Sequence, residues 1–381
     1  MKSAFVIPHA DRARGGAEAY LMNLVEDLSR WGRHCVILCR DHGALPQGVQ
    51  AVRLRGGGFT ASGRIRRFWA SVHHHLLNNS YAVVQALDIS PGVTLANPHG
   101  GVEAIWLRQY LKSKVGLERS WASMARRLSA RERTVFKYEA MMYASPTLRK
   151  VIAISPFVKD GLREIHDIPL EKIAMIPNGV DPVRFSAVSP GFERQTQLMG
   201  LLLDPAKPVI LFVGHNFALK GLRPFLRTLQ KLRREGFPVQ GIVVGRGRRA
   251  PFEHLAHTMG LSDCIRWAGV VTDMPALYRS CDVLLAPSYY DACSLATLEA
   301  LFCGLPVVTS RFNGASLYVK EGLTGSIHED PDDTDEVSVG VARFLDAGVR
   351  DLVRTEGPTS VASFTREANS RAVWALHQST G

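Results

Sequence analysis

No uninterrupted apolar run in this sequence approaches the roughly 18 residues that a membrane-crossing helix needs. A helical membrane span is therefore excluded. Cysteine is sparse, and the six present (Cys35, Cys39, Cys264, Cys281, Cys293 and Cys303) show no zinc-type pairing. They fall in apolar strand or helix patterns and read as reduced core thiols. Short-period repeats and low-complexity tracts are also missing, which removes repeat architectures. The chain enters a strand at Ala4–Pro8 with no signal-peptide pattern before it, so the expectation is a cytoplasmic protein.

What is present is enough apolar material, 46% of 381 residues, for two domains that each bury a core. Charge is shared unevenly. Residues 1–183 carry 25 Lys and Arg against 15 Asp and Glu, within an overall net charge of +11, so the second half is close to neutral. The bias peaks between Arg108 and Lys150. There Arg108, Lys112, Lys114, Arg119, Arg126, Arg127, Arg131, Arg133 and Lys137 interleave with Trp106, Tyr110, Trp121 and Phe136. Basic residues mixed with aromatics suit an anionic membrane surface. A solvated helical face with buried aromatics is the plainer alternative, and no nucleic-acid-binding module is recognisable.

Apolar strands alternate with helical periodicity along both halves, which is the grammar of parallel sheets flanked by helices. In the first half, strands are expected at Ala4–Pro8, Cys35–Cys39, Ala82–Ala86, Thr94–Asn97, Lys150–Ile154 and Lys172–Pro177, with a helix over Ala17–Trp31. Residues 181–208, rich in proline, read as an irregular linker. The second half repeats the theme with strands at Val209–Val213, Val239–Val244, Cys264–Trp267, Val283–Pro287 and Val307–Ser310, and helices at Leu222–Glu235 and Pro251–Met259.

The densest chemical signal lies at Tyr289–Ala300, where Asp291 and Glu299 stand eight positions apart across a strand-to-helix turn. Ligands of doubly wound sheets bind at such turns. Ser294 is a suitable N-cap for a helix running to Cys303, and the free N–H groups of that first turn favour phosphate. Carboxylates beside a phosphate-binding turn suit a ligand that also carries hydroxyls, as a nucleotide sugar does.

This segment, followed by Gly304-Leu305-Pro306-Val307-Val308, resembles the Glu-x7-Glu signature of family 4 retaining glycosyltransferases with the GT-B fold. Four further motifs share the resemblance in order and spacing: Arg14-Gly15-Gly16-Ala17-Glu18, Ile176 to Asp181, Val213-Gly214-His215 with Lys220-Gly221, and Asn313-Gly314-Ala315. The general layout is most similar to enzymes that glucosylate lipopolysaccharide core. The resemblance implies an α/β fold of two Rossmann-like doubly wound domains facing a cleft: residues 1–183 on the acceptor side, 184–360 on the donor side, and a C-terminal helix within 361–381 crossing back to the first.

It also implies roles for individual residues. Lys220 would stabilise the leaving phosphate, and Glu299 would accept hydrogen bonds from ribose hydroxyls. Asp291 would contact the transferred hexose, with one methylene less than the usual glutamate. Ser294 and Leu295 would offer N–H groups to the diphosphate, Cys293 would line the site, and Gly214 and Gly245 would lie near the nucleotide. In the first half, Gly15 and Gly16 would let the backbone approach donor and acceptor, and His99 would stand next to the donor hexose. Where the family often has arginine after the glycine, this chain has His215, which puts the second cationic contact in question.

Three other patterns suggest different chemistry. Gly245-Arg246-Gly247-Arg248-Arg249-Ala250 matches a dinucleotide fingerprint but lacks the acidic ribose ligand at the end of the next strand. Asp333-Thr334-Asp335 has the look of a metal-binding pair but reads as the start of a helix, and consecutive His73-His74-His75 on a helix would point in different directions. The expectation is therefore a metal-independent hexosyltransferase without a cofactor, its nucleotide sugar, a UDP-hexose, being a substrate. The acceptor would be a membrane-associated glycan or glycolipid, and the protein would be peripheral on the inner face of the plasma membrane. A nucleotide-sugar epimerase of the same fold, a non-catalytic sugar-nucleotide-binding relative and an oxidoreductase are the alternatives.

Overall fold

A computed structural model describes residues 2–186 and 192–380 of the chain. The chain forms two compact units, Met1–Gly179 with Arg366–Gly381, and Val180–Thr365. The sequence had suggested boundaries at 183/184 and 360/361.

The first unit is built on a seven-stranded sheet. Its order runs from the edge strand Gln50–Arg53 through His34–Cys39, Lys2–Val6, Val83–Ala86, Leu95–Ala96 and Lys150–Ala153 to Ile173–Met175. Every pairing is parallel, with Phe5 opposite Ile37 and Val84 opposite Ala4. The central strands are apolar on both faces because helices cover both, and Phe5, Ile37 and Leu38 are fully buried. Helix Gly16–Arg30 lays Leu21, Leu24, Val25 and Leu28 on the core and follows directly from the Gly15-Gly16 turn.

Helix Arg366–Thr380 is held in this unit by polar contacts as well as packing. Arg366 places Nη2 2.6 Å from Asp27 Oδ1 and donates Nε to Asp27 Oδ2 at 2.9 Å, a two-point grip on a carboxylate. Ser370 donates to the same carboxylate, and His377 Nε2 lies 2.7 Å from Gln85 Oε1. Burial lowers the His377 pKa to about 4, so the imidazole is neutral in the core.

The second unit carries a six-stranded parallel sheet ordered Ile265–Gly269, Gln240–Val244, Val209–Val213, Val283–Ala286, Val307–Ser310 and Gly325–His328. Val209–Val213 and Val307–Ser310 match the sequence expectation residue for residue, whereas Gly325–His328 was not anticipated. Its core joins Phe212, Phe225, Leu226 and Leu229 to Val283, Val308, Val341 and Phe344.

The expected linker at 181–208 is not wholly irregular. Helix Pro182–Ser186 starts with Asp181 Oδ1 accepting from Val183 N at 3.0 Å, and Pro182 occupies a first-turn position where its missing N–H costs nothing. A second helix, Arg194–Gly200, buries Leu198. Pro190 and Gly191 lie outside the described residues. No helix of the described residues is long and apolar enough to cross a membrane.

Candidate functional site

Parallel sheets present a row of turns where their strands end, and in the second unit those turns pack tightly on one another. Gly245 has φ +132°, and a Cβ there would come within 1.7 Å of the Gly214 carbonyl oxygen. Gly221, at φ +82°, would put its Cβ 1.8 Å from the Pro287 carbonyl oxygen. Side chains at these positions would push apart the turns after three neighbouring strands. The glycine of the dinucleotide-like fingerprint is thus explained by close approach of protein backbone at Gly214, and Gly247 likewise lies against the Phe217 ring.

The packing brings Lys220 and Asp291 together. The Lys220 ammonium forms an ion pair with Asp291 Oδ2, both side chains mostly shielded from solvent. The Asp291 backbone is pinned in turn: its N–H donates to the Phe312 carbonyl at 3.0 Å, and its carbonyl accepts from Gly314 N at 2.8 Å. At this position the shorter acid holds the lysine directly. One oxygen of its carboxylate, Oδ2, is thereby engaged within the protein.

Ser294 stands at the N-cap of helix Leu295–Phe302, but its side chain makes no capping bond. Its own N–H, expected to be free for phosphate, donates to Asn313 Oδ1 at 3.3 Å. Because the cap hydroxyl is unused, the first-turn N–H groups that begin at Leu295 have no side-chain cap from it. Asn313 is the organiser of the loop, fully buried, accepting also from Ala315 N and donating to Thr297 Oγ1 and Thr309 Oγ1. Its sequence motif had flagged a glycine turn, and nothing in the pattern pointed to the amide side chain.

The Cys293 thiol is buried and donates to Tyr318 Oη at 3.6 Å.

Glu299 sits one turn into the same helix. Burial raises its pKa, while the 2.8 Å hydrogen bond from Tyr278 Oη and the charge of Arg184 act the other way. Tyr278 itself is completely buried, and the neighbouring Glu299 charge adds to burial in raising its own pKa. Tyr278 carried no signal in the sequence; it is one of many apolar-patterned aromatics until the fold places its hydroxyl on Glu299.

His215, the residue standing where arginine was expected, is exposed and accepts from Arg246 N through Nδ1 at 3.2 Å. That bond places the ring proton of the neutral imidazole on Nε2. Burial, Arg246 and Lys220 together lower its pKa, so it supplies no lasting cation near neutral pH.

In the first unit, Gly15 is extended and caps helix Gly16–Arg30, and a Cβ at Gly16 would meet nothing within 4 Å. Protein packing therefore does not require glycine at 16. His99 packs against Tyr20 with its ring tilted by 45°, ring centroids 4.0 Å apart, and burial lowers its pKa to about 3. Its Nε2 is buried with no hydrogen-bond partner. A neutral imidazole with an unused nitrogen is equipped to bond a hydroxyl.

The other patterns resolve locally. Asp333 caps helix Thr334–Arg343 by accepting from Asp335 N and Glu336 N. The three histidines lie on helix Ala61–Asn78, where His75 Nε2 is 2.8 Å from Tyr81 Oη. No cluster of His, Cys, Asp or Glu suited to a metal ion occurs among the described residues, and all six cysteines are free.

Two family models match the chain in succession: Glycosyltransferase Family 4 over residues 14–184 and Glycosyl transferases group 1 over residues 207–347. An uncharacterized glycosyltransferase of Methanocaldococcus jannaschii is 29% identical over 208 residues, covering 54% of this chain and 53% of the relative. The lipopolysaccharide glucosyltransferase WaaG of Escherichia coli is 21% identical over 319 residues, covering 83% and 82%. The chain spans about half the length of the archaeal relative and of a D-inositol 3-phosphate glycosyltransferase of Corynebacterium jeikeium that it also matches.

Among solved structures, the crystal structure of WaaG superposes with a TM-score of 0.82 at 20% identity over 100% of both chains. HepE of Anabaena, solved with UDP and glucose, gives 0.72 at 16% identity, again over 100% of both. With one model on each half of the chain, and with two parallel sheets of the GT-B kind beneath them, this protein belongs to the group 1, family 4 glycosyltransferases.

Proposed function

We propose that this chain transfers a hexose, with retention of configuration, from a UDP-sugar to a hydroxyl of a membrane-associated glycan or glycolipid. The observation that carries the reading is the Lys220–Asp291 ion pair beside the uncapped first turn of helix Leu295–Phe302, with Glu299 one turn further on. Breaking the bond from the anomeric carbon to the diphosphate leaves negative charge on the departing phosphate. Lys220 and the N–H groups starting at Leu295 are the groups that would hold it. Glu299 would take the ribose hydroxyls and Asp291 a hexose hydroxyl, with its second carboxylate oxygen fixing Lys220. The acceptor oxygen attacks the anomeric carbon, and its proton passes to the leaving phosphate. No protein base is assigned, and no metal.

The membrane part rests on helix Gly116–Leu128, which buries none of its residues. Leu117, Trp121, Met124 and Leu128 are 79%, 66%, 47% and 70% exposed and, at spacings of four, three and four, share one face. Arg127 flanks that stripe, and Lys112, Arg133 and Lys137 lie on the adjoining helices. An apolar stripe edged by cations suits the interface of an anionic bilayer. The protein would then be peripheral on a cytoplasmic membrane face.

A transfer assay tests the whole reading. UDP-glucose, UDP-galactose, UDP-N-acetylglucosamine and GDP-mannose are each offered with and without lipid-linked glycan acceptors. Product that requires both a UDP-sugar and an acceptor supports the reading. Conversion of donor alone would make the protein an epimerase, and binding without turnover a non-catalytic relative.

A further inference from the structure

The second unit has a cavity of about 350 Å³ at the edge of its sheet where strands begin, opposite the edge bearing Gly214, Gly245 and Asp291. Asp282, just before strand Val283–Ala286, and Gly304 to Pro306, just before strand Val307–Ser310, form part of its wall. Four guanidinium groups line it: Arg194, Arg279, Arg350 and Arg354. They face one lining carboxylate. Asp282, only 5% exposed, is 2.8 Å from Arg194 Nη2 and 3.3 Å from Arg350 Nε, and it also accepts from Val209 N.

That carboxylate is spent on two arginines and a backbone amide. Arg354 pairs with Asp351, and among the described residues Arg279 donates to the carbonyls of Pro275 and Phe185 and pairs with no carboxylate. Among the described residues, the four guanidinium groups thus have two directly paired carboxylates, Asp282 and Asp351, which leaves two positive charges in excess. Arg350 Nε adds a second sign, being buried and making no aligned hydrogen bond despite its closeness to Asp282. Like charges gathered in a partly enclosed space repel, and fork-shaped donors match the oxygens of phosphate.

We propose that this cavity is a binding site for a phosphate-type oxyanion, inorganic phosphate or a phosphate monoester, separate from the edge that bears Lys220. Tyr278 lines the cavity and donates to Glu299, so an occupant there lies one side chain away from the carboxylate assigned to ribose. The binding claim is independent of what the Lys220 edge takes.

The test is calorimetric titration of the full chain with inorganic phosphate and, separately, with glycerol 3-phosphate. Wild type, Lys220→Ala and Arg354→Glu are compared, with Arg279→Gln as a second variant and thermal melts as a control for folding. Arg354 is more than half exposed, so its replacement tests charge without opening the core. One equivalent should bind to wild type and to Lys220→Ala alike, with affinity about tenfold or more lower in Arg354→Glu, the scale of one charge-assisted hydrogen bond. Tighter binding of glycerol 3-phosphate than of phosphate would identify a monoester as the ligand. Absence of binding, binding lost in Lys220→Ala, or binding indifferent to both arginine changes would overturn the proposal.

Discussion

Replacing Lys220 by alanine separates two things that the ion pair with Asp291 does. In the resting fold the pair is partly shielded, with side chains 23% and 16% exposed, so it lies between a surface pair and a buried one. Surface pairs contribute about 0–1 kcal/mol, and stripping a partner from a buried pair costs about 3–5 kcal/mol. A loss of about 2 kcal/mol is the middle of that range. For a unit of this size it corresponds to a fall of roughly 4–8 °C in melting temperature, which leaves the protein folded at 25 °C.

Catalysis should suffer much more. Removing one preorganised donor to a developing oxyanion typically costs about 10²–10³ in kcat, roughly 2.7–4 kcal/mol of barrier. Steady-state UDP release with a saturating acceptor, alongside circular dichroism of the same sample, reads both effects. The reasoning fails if kcat stays within threefold of wild type, or if kcat falls only in parallel with folded protein.

Three further outcomes follow from the geometry. Tyr278→Phe removes the donor to Glu299 and leaves that carboxylate with one bond fewer, so UDP affinity should drop about tenfold, within the roughly 1–3 kcal/mol of an unmet buried group; unchanged affinity by calorimetry would detach Tyr278 from the site. Glu103 has its pKa raised to about 7, by burial first and then by Glu139 and Asp88. The folded state therefore holds this proton more tightly than the unfolded chain, and stability falls as pH rises from about 4.5 through 7. Glu103→Gln should thus stabilise the protein at pH 8, on the order of 3 kcal/mol, with the difference vanishing near pH 4.5, and urea melts at both pH values would show it. Finally, Leu117→Ser with Trp121→Ser should leave the melting temperature unchanged, since both side chains are exposed, yet abolish co-sedimentation with phosphatidylglycerol vesicles.

The membrane prediction differs from what the sequence alone would have chosen. Arg126 and Arg131 counted there as surface charge, but both pair with Glu132, which is almost wholly buried. Arg126 also stacks near Trp106 and Tyr110. Reversing those charges would break a buried carboxylate pair and confuse unfolding with release from a membrane. Helical spacing of Leu117, Trp121, Met124 and Leu128 was legible in principle, but apolar residues at that spacing usually face a core, and only exposure separates the two cases.

Strands were read well where they are central, because residues such as Val209–Val213 are apolar on both faces and bounded by turns. The edge strand Gly325–His328 and the short helices after Asp181 were missed, since glycine and proline there looked like breakers when one is demanded by close approach to Val307 and the other begins a helix. The same limit applies to the site. Lys220, Asp291 and Glu299 stood out by type and spacing. What each one bonds to, Asp291 for Lys220, Asn313 for Ser294 and Tyr278 for Glu299, depends on contacts between segments 19 to 71 positions apart, which no local pattern encodes.

The most direct test of the donor assignment is calorimetric titration of the purified protein, without added metal, with UDP, GDP, ADP and NAD. The account predicts selective binding of UDP, weakened in Glu299→Ala and in Lys220→Ala. Binding of NAD alone, or of none of the four, would contradict it.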